Sequence, residues 1–217
     1  MKAVLFDVIG TTVREADPDA ITRCVTSAFL THGIIVTPQQ VGAYRGKEKR
    51  EMMEALLEKN QRPKGEAALV YQSYQRNFID AMHLFTAMDG AVDVFSQLRS
   101  RGIKLGLGTG LSRDLLDPLL AALQWPSAWF DFIGCPGPGV RGRPAPDMIL
   151  KMMKALAIVN PIEVLKVGDT VADIEEGKNA GVLTAALISG TQPEAVMRAT
   201  KPDFVFTSLG EVMRILR

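Results

Sequence analysis

Met1-Lys2-Ala3-Val4-Leu5-Phe6-Asp7-Val8-Ile9-Gly10-Thr11-Thr12 opens the chain with a short apolar run, then an acid, then a turn. Residues 3–6 carry no polar side chain, which suits a strand covered on both faces of a parallel sheet. The same figure returns downstream. Residues 104–107 lead into Thr109-Gly110, and residues 164–167 lead into Gly168-Asp169. Residues 183–188 and 204–206 read as a fourth and a fifth strand. Helical patterns occupy 91–100, 115–123, 148–156 and 174–180 between them. Strand and helix in alternation predict an α/β fold with a doubly wound parallel sheet.

One stretch departs from that rhythm. Between residues 18 and 84 no strand pattern is visible, and Ile21, Val25, Ala28 and Phe29, then Met52, Met53, Leu56 and Leu57, recur at helical spacing. The expected organisation is a core domain of residues 1–16 and 86–217, with a helical cap domain of residues 17–85 inserted after the first strand. A length of 217 residues suits one core with one modest insertion.

Composition narrows the functional classes. With 47% apolar and 23% charged residues and a formal net charge of +1, nothing argues for a nucleic-acid or membrane partner. No apolar run reaches the length of a spanning helix. The N-terminus reads as a first strand and not as a signal peptide. Cys24 and Cys135 stand far apart without metal-type spacing, so a cytoplasmic enzyme with free thiols is expected.

Open parallel sheets bind ligands at the carboxyl ends of their strands. Asp7, Thr109 and Asp169 fall there, and Arg143 precedes a helix in Gly142-Arg143-Pro144-Ala145-Pro146-Asp147. An aspartate can attack phosphorus and divide one hard step into two easier ones. Asp169 and Asp173 can hold Mg²⁺ together with Asp7, because that ion prefers oxygen ligands and offsets repulsion between nucleophile and substrate. Thr109 offers a hydroxyl, Gly110 the neighbouring N–H, and Arg143 a permanent forked charge suited to phosphate. Gly10 and Thr11 allow a turn whose amides can face the same anion. Taken singly, Asp173 also reads as a helix N-terminal residue, and Thr109 as a structural one. Their joint occurrence in this order points to phosphoryl transfer on a small phosphorylated substrate.

Asp7-Val8-Ile9-Gly10-Thr11-Thr12-Val13, Thr109-Gly110 and Val167-Gly168-Asp169-Thr170-Val171-Ala172-Asp173 resemble the ordered motifs of the haloacid dehalogenase superfamily. The resemblance spans nearly the whole chain and implies Mg²⁺-dependent hydrolysis through an aspartyl phosphate. Superfamily phosphatases carry a second Asp two residues after the nucleophile as acid and base. Ile9 stands there and cannot transfer a proton, although its backbone carbonyl can bind the metal. That change, with Arg143 in Gly-Arg-Pro, is similar to the phosphonatase-like branch, in which a cap lysine forms a Schiff base with the substrate carbonyl. Lys49, three residues after Gly46, matches that lysine, with Lys47 as the runner-up. Arg45, Lys47 and Arg50 surround it, and their charge should favour its neutral form.

Several positions differ from phosphonatase proper. Arg45 stands in place of a Met, Met52 of a His, Leu111 of a Tyr, and Ile9 of an Ala. The competing readings are a phosphate-monoester phosphatase, a haloacid dehalogenase and a non-catalytic phosphate-binding protein. A dehalogenase needs no metal, so the pair Asp169 and Asp173 argues against it. His32 and His83 read as structural. The resemblance, with cap methionines expected on the surface, also makes a homodimer an expectation.

Overall fold

In the computed structural model, which describes residues 1–189 and 191–216, the opening apolar run is β1 (Ala3–Phe6), followed by β2 (Val13–Glu15). Helices α1 (Ala20–Thr31), α2 (Pro38–Gly42), α3 (Lys49–Lys59) and α4 (Ala67–Asp80) come next. The chain continues through β3 (Phe85–Ala87), α5 (Ala91–Ser100), β4 (Lys104–Gly108), α6 (Arg113–Ala122) and β5 (Phe132–Gly134). It then forms α7 (Asp147–Ala155), β6 (Val164–Gly168), α8 (Val171–Asn179) and β7 (Leu183–Leu187). Helix α9 (Glu194–Ala199), β8 (Phe204–Phe206) and α10 (Val212–Ile215) complete it.

The main sheet has the order β5-β4-β1-β6-β7-β8, with every pair parallel. All of β1 is buried, as the wholly apolar run requires. Ala3 and Leu5 pack with Ile149 and Met152 of α7 on one face. Val4 and Phe6 pack on the other, where Phe6 meets Phe95 of α5 edge-on at 5.8 Å. Burying side chains of this size stabilises the fold by about 1.5–3 kcal/mol each. The chain passes from β1 to β4 and β5 on one side, and later to β6, β7 and β8 on the other. The strand order therefore reverses at β1, where the carboxyl ends leave a crevice.

The structure adds three short strands to the expected set. β5 is the sheet edge beside β4, while β2 and β3 pair as an antiparallel ribbon through which the chain passes to helices α1–α4 and back. At three residues each, they are too short to show a period and are defined by their partners. Helix α8 starts at Val171 and not at 174, because Thr170 caps it and its hydroxyl oxygen accepts from the Asp173 amide. This places Asp173 in the first turn.

The helical apolar positions of the inserted segment are buried in one cluster with Tyr74 and Phe78. Met52 and Met53 lie inside that cluster, so the expected surface of cap methionines is absent there. The exposed large apolar residues of the segment are Leu30, Ile35, Leu69 and Ile79. His32 bonds to the Ser73 hydroxyl, and His83 lies against the Asp80 carbonyl, both away from the sheet crevice. Among the described residues, no helix is long and apolar enough to cross a membrane.

Candidate active site

Strands β4, β1 and β6 are neighbours, so their carboxyl ends bring Thr109, Asp7 and Asp169 together. With Asp173 from α8, the carboxylates of Asp7 and Asp169 form a buried trio, oxygens lying within 4.8 Å of one another. Close backbone approach makes this possible. A Cβ on Gly168 would lie 2.2 Å from Asp173 Cβ, and one on Gly10 (φ +95°) would lie 2.0 Å from Asp169 Oδ2.

Each acid has different company. Asp169 Oδ1 accepts from the Thr11 hydroxyl at 2.7 Å, whereas its Oδ2 is buried with no hydrogen-bond partner among the described residues. Asp7 Oδ1 accepts from Arg143 Nη1 at 2.7 Å. Asp173 Oδ1 pairs with Arg143 and, at 2.9 Å, with Lys166, while its Oδ2 accepts from the Thr170 amide and hydroxyl. Lys166 also lies 3.3 Å from Glu176, and both side chains are fully buried.

This arrangement carries more negative than positive charge. Among the described residues, Asp7, Asp169, Asp173 and Glu176 face Arg143, Lys166 and, across the cavity from Asp7, Lys49, a formal deficit of one positive charge. Burial, then the charges of Asp7 and Asp173, push the Asp169 carboxyl up to about 8. Burial raises Asp7 as well, although Arg143 opposes it. Burial also acts upward on Asp173, but Arg143 and Lys166 outweigh it and hold that carboxyl down at about 2. A hard divalent cation matches this set: it supplies the missing charge and a partner for Asp169 Oδ2.

A stability test follows. A carboxyl whose folded pKa lies above its unfolded value favours the folded protein at low pH and loses that contribution as pH rises from about 4 to 8. The chelated protein should therefore melt at progressively lower temperature across that range. Excess Mg²⁺ at pH 8 should restore several degrees, since saturating a site at about 100 times its Kd contributes about 2.7 kcal/mol. Calorimetry in EDTA and in Mg²⁺ checks both; an Mg²⁺-independent melting temperature would remove the cation from the site.

The inserted segment meets these acids through the loop before α3. Glu48 caps α3 by accepting from the Glu51 amide at 2.7 Å. Gly46 has φ +82°, and a Cβ there would lie 2.3 Å from Thr170 Oγ1. A Cβ on Gly110 would lie 2.6 Å from the Lys47 carbonyl oxygen. The loop is thus seated directly on two loops of the sheet crevice. Lys49, only 8% exposed, shares a cavity with Asp7, Ile9, Thr109, Gly110 and Arg143. Its ammonium pKa falls to about 8, through burial first and then the charges of Arg143 and Arg45.

Of the three cations expected to favour the neutral amine, Arg45 is a cause of the shift, and burial is a larger one. Lys47 lies over the Tyr44 ring at 5.5 Å and Arg50 over the Tyr71 ring at 5.0 Å. The amides of Gly10 and Thr11 do not face an anion: they donate to the carbonyls of Val13 and Val8 within their own turn. Thr11 serves the site through its hydroxyl on Asp169 instead. Thr109 donates its N–H to Gly134, and its hydroxyl oxygen accepts from Leu111, which leaves the O–H free to donate. Ile9 lines the cavity and packs on the core, so no side chain there can move a proton.

Sequence reading missed Lys166 and Glu176. Their signals were a lysine inside an otherwise apolar strand, and a glutamate three residues after Asp173 on the same helix face. Glu15, also missed, lines the cavity from β2 and pairs with Arg45.

Comparison with known proteins agrees with this geometry. Residues 1–181 match the model of the haloacid dehalogenase-like hydrolases, and the chain belongs to that family of hydrolytic enzymes. It is similar to a phosphonoacetaldehyde hydrolase of Bacillus cereus, with 29% identity over 232 residues covering 100% of this chain and 87% of the relative. A phosphonoacetaldehyde hydrolase of Bacillus cytotoxicus is 27% identical over 231 residues at the same coverage. Among solved structures, a phosphonoacetaldehyde hydrolase like protein from Oleispira antarctica shares the fold at TM-score 0.84 and 22% identity, covering 99% of this chain and 91% of that one. A hydrolase from Pseudomonas syringae does so at TM-score 0.88 and 18% identity, covering 100% and 98%.

Proposed function

We propose that this hydrolase cleaves the carbon–phosphorus bond of a small 2-oxoalkylphosphonate such as phosphonoacetaldehyde, with Asp7 as nucleophile and Lys49 as Schiff-base former. The observation that carries it is a buried amine of lowered pKa in the cavity of a nucleophilic aspartate whose usual acid partner is replaced by Ile9. At pH 7 a lysine of pKa about 8 is neutral in about one molecule in ten, against about one in 3,000 for an exposed lysine.

Lys49 Nζ adds to the substrate carbonyl and water leaves, giving an iminium. Asp7 then attacks phosphorus, and the C–P electron pair passes into the iminium as an enamine. No acid is needed for the leaving group, which is why Ile9 is tolerated. Protonation of the enamine carbon and one water release the carbonyl product, and a second water hydrolyses the aspartyl phosphate. The net reaction consumes one water. Thr109 donates its hydroxyl to a phosphonyl oxygen, and Arg143 lies against Asp7 where the phosphonyl group must arrive. Bound Mg²⁺, held by Asp7, Asp169, Asp173 and the Ile9 carbonyl, would reduce repulsion between the two anions. Residues 17–85 act in this reading as a cap that excludes water. Asp7, Lys49, Thr109 and Arg143 line one cavity, so a compact substrate can meet all four.

Borohydride added with a 2-oxoalkylphosphonate should trap a covalent adduct on Lys49, read by peptide mass spectrometry. No adduct, alongside efficient release of phosphate from ordinary esters, would replace this reading with a phosphate-monoester phosphatase.

A further inference from the structure

The cavity holds one charged pair whose hydrogen-bond donors the C–P chemistry does not use, although its Arg45 charge helps lower the Lys49 pKa. Arg45 and Glu15 both line it, with side chains only 16% and 7% exposed. Glu15 Oε1 accepts from Arg45 Nη2 at 2.5 Å, and its Oε2 accepts from the Ile21 amide at the start of α1 at 2.9 Å. Glu15 is thereby fixed from two sides and orients the guanidinium. Among the described residues, Nη2 makes the only hydrogen bond of that guanidinium, so Nε and Nη1 keep donors for a ligand.

A phosphonoaldehyde has no use for those donors. In the proposed reaction its phosphonyl group would meet Thr109, Arg143 and a cation held by the carboxylates, and its carbonyl would meet Lys49. A guanidinium fork in a half-closed pocket answers a second anion, and a carboxylate matches its geometry. Arg45 and Lys49 line the same cavity, so one ligand can meet both.

We infer that the preferred substrate carries a carboxylate on the carbonyl carbon, making it a three-carbon 2-oxo-3-phosphono acid, and that Arg45, held by Glu15, is the residue that selects it. For turnover this rests on the C–P cleavage proposed above; for binding it does not. The reaction balances as before. Lys49 condenses with the 2-oxo group, the C–P pair enters the iminium, and one net water yields a 2-oxo acid and inorganic phosphate.

Two unreactive probes separate the questions. 3-Phosphonopropionate and propylphosphonate differ only in a carboxylate replacing a methyl. Titration calorimetry of the Mg²⁺-loaded protein should show the former binding about 10–100-fold tighter. Arg45→Met should bring that ratio near one, and Arg45→Lys, which keeps charge without the fork, should leave an intermediate ratio. With reactive substrates, the kcat/KM ratio of 3-phosphonopyruvate to phosphonoacetaldehyde should fall by a similar factor in Arg45→Met. A wild-type ratio near one, or a preference that survives Arg45→Met, overturns the assignment. A purely structural Arg45–Glu15 pair would weaken both probes equally and so gives the overturning result. Arg45-dependent binding without C–P cleavage would leave the carboxylate assignment standing while sinking the phosphonatase reading.

Discussion

Asp7→Asn should reduce phosphate release by about 10⁴-fold or more, the scale seen when a covalent nucleophile is removed. An amide nitrogen and a neutral carbonyl oxygen do not form the acyl phosphate, and nothing nearby replaces the lost nucleophile. Asp169 points one oxygen at Thr11, and Asp173 is held by Arg143, Lys166 and Thr170. The variant should still fold. Burial already raises the Asp7 pKa, so the ionised side chain costs stability in the metal-free protein, and a neutral isostere removes that cost. Phosphate release and melting temperature measured together check this. Residual activity within tenfold of wild type would take the nucleophile role away from Asp7.

Lys49→Met carries the second large effect, with opposite signs for activity and stability. Turnover of a 2-oxoalkylphosphonate should fall by about 10³-fold or more, because the departing carbon loses its electron sink. The melting temperature should rise. A lysine whose folded pKa is about 8 against 10.5 unfolded binds fewer protons when folded, so folding is penalised at every pH below 8 and the penalty fades by pH 10.5. At neutral pH that difference corresponds to about 3 kcal/mol, and Met fills nearly the same space without it. For a chain of this size, that is a gain of about 5–10 °C. A scan that loses activity and also loses stability would show Lys49 as a structural residue of α3.

Chemistry and architecture were legible to different degrees. β1, β4 and β6 were visible because strands buried on both faces are predominantly apolar, Lys166 being the exception within β6, and their end residues followed at once. Asp7, Thr109 and Asp169 needed only that rule. β2, β3 and β5 were not visible, since three residues hold no period and, unlike the wholly apolar Phe204–Phe206 of β8, each includes a polar residue or a glycine. The amides of Gly10 and Thr11 were misjudged for a different reason: a turn shows that donors exist, not which acceptor takes them.

Ile9 shows the limit most clearly. A residue type that cannot move a proton is a purely local fact, and it redirected the search for leaving-group chemistry to the inserted segment. Lys49 as a candidate was equally local. Its competence was not. The lowered pKa comes from burial against the sheet crevice and from Arg143, which lies 94 residues away along the chain and reaches the amine only after folding. The charge deficit around Asp169, the buried Lys166–Glu176 pair and the Arg45–Glu15 contact share that origin. The sequence by itself determined which groups are present and which strands carry them, because hydrophobic pattern and residue type are local properties. Desolvation and Coulomb energy depend on distances between remote residues, and only the tertiary structure decided those.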